Sequence, residues 1–129
     1  FNIHTEGLQD DAWSFLADID KPVVIGEFHV GAVSDTGLFH PGLVMAADQS
    51  DRARMYTEYM ETVTSNPYLV GAHWFQYTDS PLTGRAFDGE NYNVGFVNIA
   101  DIPYPEMIEA ARSIMKDLYP NRFNEPEGD

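Results

Sequence analysis

Apolar residues fall along this chain in two rhythms. At Leu8, Ala12, Phe15, Leu16 and Ile19 they recur in steps of three and four, which predicts one face of a helix over residues 9 to 18. Asp10 and Asp11 stand in its first turn, where carboxylates complement the helix dipole. The period changes in Lys21-Pro22-Val23-Val24-Ile25-Gly26-Glu27-Phe28-His29. Three β-branched residues in succession predict a strand over 22 to 28, of the kind buried on both faces, and the apolar run breaks off at Glu27 and His29. Ala53, Tyr56, Met60 and Val63 share a face of a second helix over 50 to 65, with Ser50 as its N-cap and Asn66-Pro67 as its stop. Tyr68 to Phe75 is a second buried strand, closing in Gln76-Tyr77-Thr78-Asp79. Pro105 suits the first turn of a last helix, with Met107, Ala111, Ile114 or Met115, and Leu118 toward the core and Pro120 as its terminator.

Between these elements lie long connections. Residues 1 to 7 read as a loop or strand remnant, Gly31 to Ala47 and residues 79 to 104 as irregular segments rich in glycine, and Asn124 to Asp129 as a frayed tail. Within the second connection, Gly95 to Ile99 is a short extended piece. Alternating helices and strands predict βαβ units around a parallel sheet, hence an α/β fold in one domain over residues 1 to 129. Two parallel strands with three helices cannot cover both faces of a sheet. The pattern therefore predicts either a sheet completed by other copies or a piece of a larger unit of about 250 residues, a partial TIM-type (β/α)8 barrel. Completion comes either from a missing N-terminal part or from further copies in a homo-oligomer.

Composition narrows the partners. With 21 acidic against 7 basic residues and a net charge of −14, the chain lacks the basic footprint of a nucleic-acid binder and is unsuited to an anionic membrane surface. There is no cysteine, which removes disulfides and thiolate metal sites. No run approaches the roughly 20 apolar residues of a membrane span. The sequence opens at Phe1 without methionine, so a processed or upstream N-terminus is expected.

The candidate chemistry sits at the strand ends. In parallel α/β folds ligands bind at the carboxyl ends of strands, which is where Glu27 stands, and Gly26 lets a ligand approach the backbone beside it. A glutamate that merely closes a strand is the plain alternative. Glycoside hydrolysis needs paired carboxyl groups and flat apolar surfaces for the sugar. Glu27 supplies one carboxylate, and Trp74, Phe75 and Tyr77 offer a platform unless they are core residues. Asp35, Phe39 and His40 in the first long connection are residue types that line a polar pocket. A metal-dependent hydrolase built from Glu27, His29, His40 or His73 with Asp79 is a third reading, though these residues lack a recognised ligand spacing.

Four stretches together carry a resemblance: Ile25-Gly26-Glu27-Phe28-His29; Gly37-Leu38-Phe39-His40-Pro41-Gly42-Leu43; His73-Trp74-Phe75-Gln76-Tyr77-Thr78-Asp79; and Gly84-Arg85 with Asp88-Gly89-Glu90-Asn91-Tyr92-Asn93-Val94-Gly95-Phe96-Val97. Over about Lys21 to Leu118 the chain resembles the C-terminal end of glycoside hydrolase family 50 β-agarases, and more broadly retaining (β/α)8 barrels whose nucleophile ends strand seven. The resemblance implies that Glu27 is the nucleophile and that Trp74 ends strand eight beside the sugar. It implies His29, His40, Gln76, Tyr77, Asp79, Arg85, Glu90 and Asn91 as polar and aromatic residues around the substrate, and a non-proline cis peptide between Trp74 and Phe75. It further implies a polysaccharide or oligosaccharide substrate such as agarose, no cofactor and no metal, and a secreted or periplasmic setting. The family's acid/base glutamate follows an asparagine at an upstream strand end, whereas the only Asn-Glu pair here is Asn124-Glu125 in the tail. The expectation is a hydrolase fragment with the nucleophile and without the acid, inactive alone; the alternative is a non-catalytic carbohydrate-binding or oligomeric scaffold module.

Overall fold

The computed structural model describes residues 13–32 and 37–123. The expected loop at 1 to 7, the first turn of the first helix, Asp35 and the expected tail lie outside the described residues. Helix α1 (Phe15–Ile19) leads into strand β1 (Val23–Phe28), which is followed by two short strands, β2 (Gly31–Ala32) and β3 (Met45–Ala46). Helix α2 (Gln49–Ser65), strand β4 (Leu69–Trp74) and helix α3 (Pro105–Phe123) complete the order. β1 pairs with β4 and β2 with β3, both in parallel, giving two two-stranded sheets. The α/β class and the parallel partnership of the two long strands follow the alternation in the sequence.

α2 and α3 pack on one face of the β1–β4 sheet. Ile25, Phe28 and Leu69 from the strands meet Tyr56, Tyr59, Met60 and Val63 of α2 and Met107, Ala110 and Ile114 of α3. Phe28 stacks on Tyr59 at 4.2 Å between ring centroids and meets Trp74 edge-on at 5.1 Å. Burying one such phenylalanine stabilises the fold by about 1.5–3 kcal/mol. A smaller cluster of Val30, Ala32, Val44, Ala46 and Met55 seats the short sheet against the start of α2.

Several boundaries differ from expectation. α2 begins one residue early and is capped by Asp48, whose side chain accepts from the Asp51 amide at 2.8 Å, rather than by Ser50. Ile114, not Met115, faces the core in α3, because Met115 lies one step round the helix and is 58% exposed. Pro120 does not terminate α3, which runs to Phe123. Its last turn is held from outside: the Arg122 guanidinium donates to the Thr64, Asn66 and Pro67 carbonyls at the end of α2. The stretch 95 to 99 forms no strand of its own; Val97 makes single bridges to Thr78 and Pro103.

Candidate active site

Strict alternation along β1 would put Ile25 and Glu27 on the same face. The register prevents this. Ile25 pairs with Ala72 and Phe28 with Trp74, so β1 advances three residues while β4 advances two, with the surplus at Gly26-Glu27. This is a β-bulge, a device common beside functional sites. Ile25 and Phe28 both enter the core, and Glu27 turns to the opposite side.

There it lines a pocket of about 300 Å³ together with His29, Leu43, Phe75, Arg85, Phe87, Glu90 and Tyr92, at the small end of the range for ligand sites. His29 is buried, and its Nε2 accepts the Leu43 amide at 2.9 Å, which puts the ring proton on Nδ1. Its ring lies 5.9 Å from Phe75 and 5.7 Å from Tyr92. The backbone that delivers the Leu43 amide turns at Gly42, with φ +85°, where a Cβ would come within 2.6 Å of His29 Nε2. Glycine is required there on both counts.

Arg85 forms the far wall. Its guanidinium lies over the Phe75 ring at 5.0 Å and the Phe87 ring at 4.7 Å, and it donates to Asp88 at 2.6 Å and to Glu90. Burial opposes the Arg85 charge, but the carboxylates of Asp88 and Glu90 outweigh it and raise its pKa. Against the effect of its own burial, the Asp88 carboxyl is held below the usual carboxylate range by its bonds from Arg85 and the Glu90 amide. Burial first, and then Glu90, raise the Tyr92 hydroxyl.

Of the expected site residues, Glu27, His29, Arg85 and Glu90 therefore meet in one pocket. His40 stands at its border, with its ring 5.5 Å from Tyr92 and its Nδ1 accepting the Gly42 amide at 3.0 Å. The Asn91 side chain turns away to the Leu38 carbonyl, at 3.1 Å. Gln76 points to the Ser80 hydroxyl at 3.4 Å, and Tyr77 is 69% exposed.

Trp74 and Asp79 serve the interior instead. Trp74 follows Phe28 to the helix side, packs edge-on against Tyr56 and Phe96 and donates its indole N–H to the Val94 carbonyl at 2.8 Å. Phe75, the next residue, takes the pocket face, and the non-proline cis peptide joins Phe75 to Gln76 rather than Trp74 to Phe75. Asp79 is 3% exposed and accepts from Asn93 at 2.8 Å, Tyr104 at 2.6 Å and the Gly95 amide at 2.8 Å. Nearby, the fully buried Arg52 donates to the carbonyls of Val30 and Gly95 and to Gln49, with Trp74 and Tyr104 on its faces. Burial lowers the Arg52 pKa to about 10 against the attraction of Asp79 and Tyr104, and burial with Asp79 pushes Tyr104 up to about 12.

Leu43, Phe87 and Tyr92 went unread as pocket residues because they sit in loops without periodicity. Among the described residues no group of three His, Asp or Glu side chains is arranged to hold a metal ion, and no helix is long and apolar enough to cross a membrane. A larger groove of about 600 Å³ runs along β4 between α2 and α3, but it is lined mainly by apolar residues such as Met60, Val63, Leu69, Met115 and Phe123.

No family model matches the chain. Over 124 residues it is 57% identical to β-agarase B of Vibrio sp. (strain JT0107), a match that takes in 95% of this chain and 13% of that protein. The chain is similar to a segment of the β-agarases along nearly its whole length. The solved structures agree. An exo-β-agarase superposes with a TM-score of 0.92 at 58% identity over 96% of this chain and 17% of its own. PfGH50B gives 0.91 at 63% identity over 95% and 17%. The chain thus spans about an eighth of the curated β-agarase it matches and about a sixth of these structures.

Proposed function

We propose that this chain is the C-terminal βα portion of a retaining, β-agarase-like (β/α)8-barrel hydrolase acting on a galactan such as agarose, with Glu27 as its nucleophile. The observation that carries this reading is the bulge at Gly26-Glu27, which turns one carboxylate out of the core at the carboxyl end of a parallel strand. It faces a pocket with an aromatic wall in a chain 57% identical to a β-agarase. In the reaction, a Glu27 oxygen attacks the anomeric carbon, the glycosidic bond breaks, and a glycosyl ester forms for water to hydrolyse. The chain brings no acid at an Asn-Glu strand end to protonate the leaving oxygen, a loss of about 10²–10⁴-fold or more. Its sheet also supports incompleteness: β1 and β4 pair with each other and with no further strand among the described residues, and Val24 and Val70 are exposed at 41% and 58%.

An activated sugar needs no acid, which gives the test. Incubation with 2-deoxy-2-fluoro-β-galactosyl fluoride is expected to release fluoride and leave one glycosyl ester on Glu27, located by peptide mass spectrometry. Agarose itself is expected to be left uncut by the chain alone. Labelling of another residue, or equal labelling of Glu27→Gln, overturns the assignment.

A further inference from the structure

The pocket beside Glu27 holds one guanidinium, and it is already spoken for. Arg85 donates through Nε and Nη2 to both oxygens of Asp88, at 3.2 and 2.6 Å, and through Nη2 to Glu90. Phe75 and Phe87 cover its faces. The loop closes on itself to hold this arrangement: the Arg85 amide donates to the Glu90 carbonyl, the Gly89 amide to the Arg85 carbonyl, and the Glu90 amide to Asp88 Oδ1. His29 Nε2 is likewise occupied, as an acceptor. Arginine recognises sulfate or carboxylate groups by offering its planar fork to two oxygens. Here the protein's own carboxylates occupy that fork. A ligand meets carboxylate oxygens and aromatic rings, which suit sugar hydroxyls and C–H faces.

We infer that the Asp88–Arg85–Glu90 clamp makes this pocket select uncharged sugar units over units bearing a sulfate or carboxylate group. The inference rests on the reading of the pocket as a saccharide site. Its physical content is that the clamp spends the cation an anionic substituent would need and leaves negative charge facing it.

The test uses the 129-residue chain, an agarose tetrasaccharide and its sulfated counterpart, titrated calorimetrically at about 0.15 M salt to damp the field of the −14 net charge. The neutral sugar is expected to bind about tenfold or more tighter. Asp88→Asn with Glu90→Gln, which releases Arg85, is expected to narrow or invert that ratio. Glu109→Gln with Asp117→Asn removes the same charge from exposed positions of α3 and is expected to leave the ratio unchanged. If the first double variant fails to fold, as judged by circular dichroism, Arg85→Gln decides: the ratio should not fall. Equal binding of both sugars, equal narrowing by the α3 variant, or a fall of the ratio in Arg85→Gln overturns the inference. Binding of neither sugar overturns the saccharide reading itself and the inference with it.

Discussion

At the scale of single residues, the interior polar groups are more demanding than the pocket. Arg52 is fully buried, and its bonds to the Val30 and Gly95 carbonyls tie the end of β1 to the loop that carries Tyr92. Arg52→Ala would leave both carbonyls and the Asp79 carboxylate with less compensation in a dry interior. The expected loss is about 3–5 kcal/mol in urea titration, a large share of the stability of a small domain. Gly42→Ala meets two obstacles, a left-handed φ and the nearby His29 ring. It is expected to cost about 1–3 kcal/mol and to move the His29 ring resonances in NMR spectra, because the Leu43 amide can no longer reach Nε2. Asp79 shows why residue type misleads at this scale. In sequence it is a carboxylate in an aromatic strand end, whereas in space its three donors come from Asn93, Gly95 and Tyr104, whose approach nothing local announces.

At the scale of elements, periodicity was a good guide to what exists and a poor one to where it stops. The three-and-four spacing located α2 and α3, and the β-branched run located β1, because burial of one stripe or face is what shapes both sequence and structure. The ends obey other causes. Asp48 caps α2 because its side chain reaches the Asp51 amide, a choice between neighbouring polar residues that spacing does not make. α3 passes Pro120 because Arg122 fastens the final turn to α2. Arg122→Ala is therefore expected to speed amide exchange in residues 121 to 123 while shifting the thermal midpoint little, since that turn adds no residue to the main core. The packing of Trp74 toward Tyr56 and Phe96, with Phe75 in the pocket, has a related cause. Which of two adjacent aromatic residues faces a pocket depends on register, and register is fixed by the partner strand. Phe28→Ala probes the opposite case, a ring wedged among Tyr56, Tyr59 and Trp74; a loss of about 3–5 kcal/mol in chemical denaturation is expected.

At the scale of the whole molecule, alkaline pH should reveal the tyrosine-rich core. Burial raises Tyr56, Tyr59 and Tyr104 above the ordinary phenol value, and Tyr104 reaches about 12. A group whose folded pKa is raised contributes stability that is complete below its unfolded pKa, near 10, and is lost as the pH climbs through the folded value. Chemical-denaturation midpoints are thus expected to fall above about pH 10, with the absorbance of these three phenolates appearing together with unfolding rather than before it. The parallel pairing of the two long strands was legible from the alternation of elements, while the clamp around Arg85 was not, since it is closed by loop bonds that follow no repeat. If copies of this chain complete one another's sheets, light scattering will report a dimer or larger species, and a monodisperse monomer would count against it. The bulge in β1 has a consequence for how such a protein tolerates change. Because the facing of Glu27 is a matter of odd or even count, swapping one side chain for another nearby leaves the carboxylate aimed outward. Losing the single codon for Gly26 would remove the surplus residue and leave plain alternation, with Ile25 and Phe28 still inward and Glu27 still outward, so this strand should tolerate an in-frame deletion at its bulge.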